Sequence, residues 1–427
     1  MLISKTNMVF KIGIVGAGPA GTILARLLQQ SSQDITVTIF ESEGSINFRS
    51  QGGTLDLHQK TGLAAIKKAN LYDAFLKHAR YDGEAMKIAD KKMLCYVHQG
   101  PSTEASGGRP EIDRPKLREL LYDSLPTGTV QWNKKLLSVE RSWTNPSNLI
   151  LAFADGTTQS GYHLIVGADG AWSKTRTLLT DAKPYYSGIG GHAFSIPDAK
   201  RKHPELYKLV NRGSVFAFSD GKSIMGQQMG DGSINVGTWA VRPTDWQTTC
   251  GYDVHDGPSV KAACAKEYAD WDPRLVALTQ TGDDDKIAPR DLFMLPIGQS
   301  WEHVPGVTLI GDAAHVMTPF AGEGVNLAFQ DALKLSEAII SAATSSDTSS
   351  LDAKIQEFER DMFQRMTETQ QLTYDMMNAM YYTPGAPRST IEKYVVRAVE
   401  GEMGPWVTSL LLKPIVYAWF FVFKLIW

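Results

Sequence analysis

The chain has 427 residues, 43% hydrophobic and 21% charged, a globular composition long enough for two packed domains with a sizeable core. A formal charge of -3 without any Lys/Arg block argues against nucleic acid and for a small-molecule partner. Three scattered cysteines, Cys95, Cys250 and Cys264, form neither a disulfide framework nor a metal-ligand pair, so no metal is expected.

Met1 to Phe10 lacks a long apolar region followed by a small-residue cleavage site, and a cytoplasmic location is expected. Phe10 to Val15 reads as a strand, Pro19 to Gln30 as a helix with Ala20, Ile23, Leu24, Leu27 and Leu28 inward, and Ile35 to Phe40 as a second strand. Such a βαβ start predicts a parallel sheet with right-handed crossovers. Between strand and helix lies Gly16-Ala17-Gly18-Pro19-Ala20-Gly21. There glycines permit a tight turn, close approach to a pyrophosphate, and close helix packing, with phosphate charge at the helix N-terminus. Glu41, 20 residues beyond Gly21, is placed to accept from ribose hydroxyls.

Arg49, in the loop Asn47 to His58, offers a cation for the pyrophosphate or for an incoming nicotinamide phosphate, and Arg114, ahead of a helix, offers a second. A solvated surface arginine is the alternative for both. Leu149 to Phe153 and Thr157 to Gln159 form a predicted hairpin, after which the strand Leu164 to Ala168 delivers Asp169-Gly170 to the ligand-binding edge of the sheet, or to a plain turn. From about Lys183 to Pro296 the pattern changes to an antiparallel meander over Ser214 to Ser219, Lys222 to Met229 and Ser233 to Val241, a natural floor for a substrate cavity.

Val307 to Ile310 then leads into Gly311-Asp312-Ala313-Ala314-His315, and Pro319-Phe320-Ala321-Gly322-Glu323-Gly324-Val325-Asn326 opens a helix to about Ala342. Asp312 is suited to a ribityl hydroxyl, Pro319 to the flavin face, and the N–H groups and dipole from Gly322 to Asn326 to negative charge at the flavin pyrimidine edge. His315 reads as a structural, hydrogen-bonded residue. Two cradles imply one long cofactor, FAD.

After the polar linker Ser345 to Ser350, Leu351, Ile355, Phe358, Met362 and Met366 recur at helical spacing, predicting a long bracing helix that ends at Thr383-Pro384-Gly385-Ala386-Pro387. The tail Trp406 to Trp427 carries only Lys413 and Lys424 as charges, and Lys413-Pro414 leaves Ile415 to Phe423 too short to span a bilayer. A helix packed on the body is the first reading and an interfacial anchor making peripheral membrane contact the second. The expected fold is α/β: a discontinuous Rossmann-like FAD-binding domain over 1–182 plus 297–345, an inserted antiparallel-sheet substrate domain over 183–296, a bracing helix over 351–383 and an apolar tail over 384–427. Oligomeric state is not legible.

The order of GxGxxG, Glu41, Arg114, Asp169-Gly170 and Gly311-Asp312 resembles the class A FAD-dependent monooxygenases of the para-hydroxybenzoate hydroxylase group. Gly52-Gly53-Thr54-Leu55-Asp56-Leu57-His58, Pro110-Glu111-Ile112-Asp113-Arg114 and the Gly311 to Gly322 strings most resemble the tetracycline-inactivating members. The resemblance implies that Asp56, Arg114 and Asp312 contact FAD and that Arg49 faces NADPH or the flavin pyrophosphate. It further implies that NADPH, or NADH in its place, reduces FAD, that O2 forms a flavin C4a-hydroperoxide, and that one oxygen atom passes to an aromatic or polycyclic small molecule, as in secondary metabolism or xenobiotic modification. Ala193 and Ser214 stand where that family contacts tetracycline, and neither can make the same contacts. Glu323 departs from the usual Gly-Gln-Gly. No side chain is assigned as a catalytic acid or base. Epoxidation of a prenyl or polyene chain is the alternative activity, and a non-catalytic apolar-ligand-binding flavoprotein the remote one.

Overall fold

The computed structural model describes residues 9–46, 52–104, 108–142, 148–345, 348–403, 406 and 408–427; Arg49 lies outside them. The expected βαβ start forms over Phe10–Val15, Pro19–Gln29 and Ile35–Phe40. Its strands belong to a five-stranded parallel sheet in the order Val307–Leu309, Leu164–Gly167, Phe10–Val15, Ile35–Phe40, Val130–Gln131. Ile12, Ile14, Val166 and Leu309 are fully buried, as a parallel sheet covered on both faces requires. Helices Pro19–Gln29 and Gly324–Ser345 pack side by side on it, burying Ile23, Leu24, Phe329, Leu335 and Ile339 in one core.

The predicted meander forms as Ser214–Ser219, Lys222–Gln228 and Ile234–Val241 inside a seven-stranded sheet. That sheet is not confined to the expected 183–296 segment. Met86–Asp90 and Cys95–Gln99 complete it, with Met86–Asp90 running parallel to Ser214–Ser219 from Met86 opposite Ser214 to Asp90 opposite Phe218. Partners so distant in sequence leave no turn or spacing signal, which is why the segment boundary missed them. Helices Gly257–Glu267 and Pro273–Gln280 seal one sheet face over Val215, Ala217, Ile224 and Val236. The other face looks toward the parallel-sheet unit.

Helix Thr348–Met377 braces the two units. Leu351, Ile355, Phe358 and Met362 enter the core of the parallel sheet. At its far end Met377, Met380 and Tyr381 are buried with Ile88, Ile189 and Phe218 of the seven-stranded sheet. The regular helix is shorter than the expected 351–383 stretch: it gives way to a wider π turn at Asn378–Tyr382. Helix Lys413–Ile426 then lays Val416 and Phe420 into this same cluster, fixed by Lys424 Nζ on Glu392 at 2.5 Å and Arg388 Nη2 on the Lys424 carbonyl at 2.7 Å. Among the described residues, no helix is long and apolar enough to cross a membrane.

Candidate active site

The three glycines of the first turn have three different steric reasons. Gly16 has φ +105, and a Cβ there would lie 2.3 Å from the Ala168 carbonyl oxygen. At Gly21 a Cβ would lie 2.1 Å from the Gly16 oxygen, so the helix approaches its own turn as closely as a glycine allows. Around Gly18 nothing lies within 4 Å, leaving the helix N-terminus open to a ligand. Glu41 supports this turn from behind: its carboxylate accepts from Ala17 N at 2.7 Å and from Glu43 N at 2.9 Å.

Asp169 takes part in the turn that the sequence offered as one of its two readings. It accepts from Ser173 Oγ at 2.6 Å, Lys174 N at 2.8 Å and Thr175 N at 3.1 Å, capping the turn Thr175–Leu178. The position left open toward the cleft is Gly170, where a Cβ would meet nothing within 4 Å. Arg176 of the same turn donates to the Ala313 carbonyl at 2.9 Å and ties it to the second cradle.

At Gly311 the chain turns with φ +60, and a Cβ there would stand 3.2 Å from Ala20 Cβ and 3.3 Å from Ala328 Cβ. The second cradle is therefore wedged against the start of the first helix, and the two form one continuous trough. Below it, fully buried Asp331 accepts from Gly311 N at 3.1 Å, His315 Nε2 at 2.6 Å and Arg365 Nη1 at 2.9 Å. Burial alone would raise the Asp331 pKa, but His315 and Arg365 outweigh it and hold the carboxyl below its ordinary value. His315 is thus structural, and Asp312, the next residue after the turn, keeps its side chain exposed.

Across the trough, Arg114 opens helix Arg114–Asp123 with its backbone N–H on the Gly53 carbonyl at 3.1 Å. Its side chain is accessible, yet burial in the protein lowers its pKa, with Asp312 opposing that shift. Asp56 shows the same combination, with 32% of its side chain accessible and burial as the largest influence on its carboxyl, outweighed by His58 and Arg109. Gly322 faces it, its Cβ position 3.6 Å from Asp56 Oδ1. Pro319 is exposed beside the trough, and Gly324 has nothing within 4 Å of a Cβ.

Asn326 is a latch. Its buried carboxamide accepts from His58 N at 2.9 Å and donates to the Asp56 carbonyl at 3.0 Å, while its first-turn neighbours Gly324 and Val325 leave N–H groups at the helix start.

The trough opens onto the sheet face opposite helices Gly257–Glu267 and Pro273–Gln280, part of which is covered by the end of the bracing helix and by the tail helix. There Ser195, Asn235, Gln227 and Ser214 stand in one register row, and Ala193, Gly237, Met225 and Phe216 in the next. Asn235 Oδ1 lies 2.9 Å from a Cβ position on Gly52, and Gln227 Oε1 3.5 Å from one on Gly53. Phe216, Met225 and Trp239 pack into the same cluster as Phe320 of the second cradle. The floor is thus apolar with two carboxamides.

Residues 10–255 and 299–369 match the FAD binding domain family. Monooxygenase penA of Penicillium thymicola is 30% identical over 425 residues, 88% of this chain and 96% of that protein. The chain belongs to the class A FAD-dependent monooxygenases. Salicylate hydroxylase of Pseudomonas putida is 26% identical over 350 residues, 77% of each chain. A tetracycline destructase, Tet(55), shares the fold with a TM-score of 0.67 at 18% identity, covering 92% of this chain and 96% of its own.

The residues of this monooxygenase fit FAD: an open helix N-terminus at Gly18 for the pyrophosphate, a continuous trough between the cradles, and Asp312, Arg114 and Asp56 on its walls. Sequence reasoning left His58, Gln227, Asn235, Asp331 and Arg365 unassigned. The period-2 alternation of Ile234–Val241 places Asn235, Gly237 and Trp239 on one face; which face meets the cofactor trough needs the tertiary structure.

Proposed function

We propose that this monooxygenase takes electrons from NADPH, with NADH as the alternative, and inserts one oxygen atom of O2 into a neutral aromatic or polycyclic small molecule by hydroxylation. Bound FAD supplies the redox and oxygen chemistry. The protein binds the cofactor along the trough, orients the substrate against the sheet and excludes water. The observation that carries this reading is the floor itself: Phe216, Met225 and Trp239 give apolar surface, the Trp239 indole lying beside Gly237, and Gln227 and Asn235 offer neutral hydrogen bonds. A dry, apolar floor protects an oxygen-transfer reaction from water and stray protons. The proposed contacts to FAD are Gly16, Gly18 and Gly21 at the pyrophosphate, Glu41 behind the ribose, Asp312 at the ribityl chain, and Pro319, Gly322, Gly324, Val325 and Asn326 along the isoalloxazine.

A screen of polycyclic aromatics and prenylated natural products, read by substrate-stimulated NADPH and NADH oxidation with product mass, tests the reading. Hits among neutral aromatics with a mass gain of one oxygen are expected; stimulation by carboxylates alone, or none by any aromatic, counts against it.

The tail favours a second reading. Val416 and Phe420 pack inward, but Ile415, Trp419, Phe421, Val422, Leu425 and Ile426 are exposed on helix Lys413–Ile426, with Trp406 and Trp427 beyond its ends. The proposed occupant of this face is a lipid surface, which the helix meets lying flat, and the substrate is then an apolar chain taken from the membrane and epoxidised.

A further inference from the structure

Glu323 is the place where this chain departs from the family string, and the structure shows what meets it. His58 Nε2 lies 2.9 Å from Asp56 Oδ2, and His58 Nδ1 lies 3.4 Å from Glu323 Oε2. The Asp56 contact is a hydrogen bond and the Glu323 contact a longer charge pair, and an imidazole held between two carboxylates is favoured in its protonated form. Although burial pulls the His58 pKa down, the two carboxylates beside it raise it to about 9. Two other charged groups face this trio: Arg109, whose Nη1 is 3.9 Å from Asp56 Oδ2, and Glu111, opposite Asp56 across the strand pair and raised in pKa chiefly by burial, with Asp56 adding to that shift. On the side of helix Gly62–Lys68, Lys67 reaches Gln59 instead, at 3.4 Å.

The trio lies at the start of helix Gly324–Ser345, where Leu327 N donates to the Glu323 carbonyl and the first-turn N–H groups are open. The helix dipole there favours a negative ligand, whereas two carboxylates disfavour it. The imidazolium offsets one of them. It also joins Asp56 of strand Thr54–Asp56 to the turn carrying Glu323, in parallel with the Asn326 latch.

We propose that His58 is a positioning residue which, clamped between Asp56 and Glu323, balances the charge of the cradle and thereby sets the reduction potential of the bound flavin. The inference rests on the placement of the flavin pyrimidine edge at this helix start. Reduction adds negative charge to that edge, so the equilibrium between oxidised and reduced flavin reads the local charge directly.

The test is the midpoint potential of the holoenzyme by dye equilibration, alongside the FAD dissociation constant by fluorescence, for wild type, Glu323→Gln and His58→Gln. Glu323→Gln keeps an acceptor for the His58 N–H and removes one negative charge; the reduced form is expected to gain about tenfold in relative binding, a rise of about 30 mV for a two-electron couple. His58→Gln removes the positive charge and is expected to lower the potential by a similar factor. A merely structural latch would weaken FAD binding in either variant without shifts of opposite sign. Unchanged potentials, or shifts in the same direction, overturn the proposal. Where His58→Gln fails to retain FAD, Glu323→Gln alone decides, and an unchanged potential overturns it. Failure of the wild-type apoprotein to take up FAD would instead overturn the cradle assignment on which the proposal stands.

Discussion

Gly16 and Gly18 look alike in the sequence but are held by different forces. At Gly16 a side chain meets the Ala168 carbonyl and a backbone with φ +105, whereas at Gly18 it meets nothing within 4 Å. Gly16→Ala is therefore expected to destabilise the fold by about 1–3 kcal/mol from backbone strain, with the clash added. Gly18→Ala should leave apoprotein stability within about 0.5 kcal/mol. Its cost falls on the ligand: the methyl group occupies the pyrophosphate approach, and FAD affinity should drop about tenfold, or about 1.4 kcal/mol. Asp312→Ala, at an exposed position, should resemble Gly18→Ala. Thermal melts of the apoproteins and FAD titrations check all three; equal melting losses in Gly16→Ala and Gly18→Ala would contradict the division of roles. The fingerprint was legible because its chemistry is local. The Asp56–His58–Glu323 contact was not, because Glu323 lies in a segment far from Asp56 and His58 that only the fold brings to them.

Among the elements, the tail helix was read most incompletely. Its apolar composition predicted burial or a membrane, and the helix does bury one face, with Tyr96 and Phe423 rings 5.5 Å apart across that contact. What composition cannot show is how the residues divide: Trp419 is 67% exposed and Phe421 65%, while Phe420 between them is 4% exposed. Over the last 40 or so residues, Arg388, Lys393, Arg397, Lys413 and Lys424 outnumber Glu392, Glu400 and Glu402, in a chain whose formal charge is -3. Lys424 and Arg397 are taken up by ion pairs with Glu392, Asp375 and Glu400, and the exposed Lys393 and Lys413 remain to match an anionic lipid surface beside the apolar face. The full-length protein is expected to co-sediment with phosphatidylcholine vesicles more strongly when phosphatidylserine is present, and Trp419→Glu with Phe421→Glu should abolish this while leaving the FAD spectrum intact. Equal recovery of both proteins in the supernatant would contradict lipid binding, and concentration-dependent self-association lost in the variant would assign the face to a second copy. The bracing helix, by contrast, was readable from its stripe, since Leu351, Ile355, Phe358, Met362 and Met366 are all buried.

At the scale of the whole molecule, most of the parallel sheet followed from short-range βαβ grammar, since Phe10–Val15, Leu164–Gly167 and Val307–Leu309 are apolar runs that lead into Gly16, Gly170 and Gly311, whereas the two-residue edge strand Val130–Gln131 has no such pattern. The seven-stranded sheet obeyed a different logic: its meander was visible through Asp220-Gly221 and Gly230-Asp231-Gly232, while its Met86–Asp90 strand joins through pairing no local pattern encodes. The consequence is functional, because that sheet supplies the floor under which Gln227 and Asn235 meet the Gly52-Gly53 loop. In the function proposed above, trough and floor serve one task, to move a single oxygen atom from O2 to a substrate held against the sheet. The most direct test is turnover of a substrate identified by the screen under isotopically labelled dioxygen, with product analysed by mass spectrometry. One labelled oxygen atom per product is predicted; an unlabelled product, with all reducing equivalents recovered as hydrogen peroxide, would contradict it.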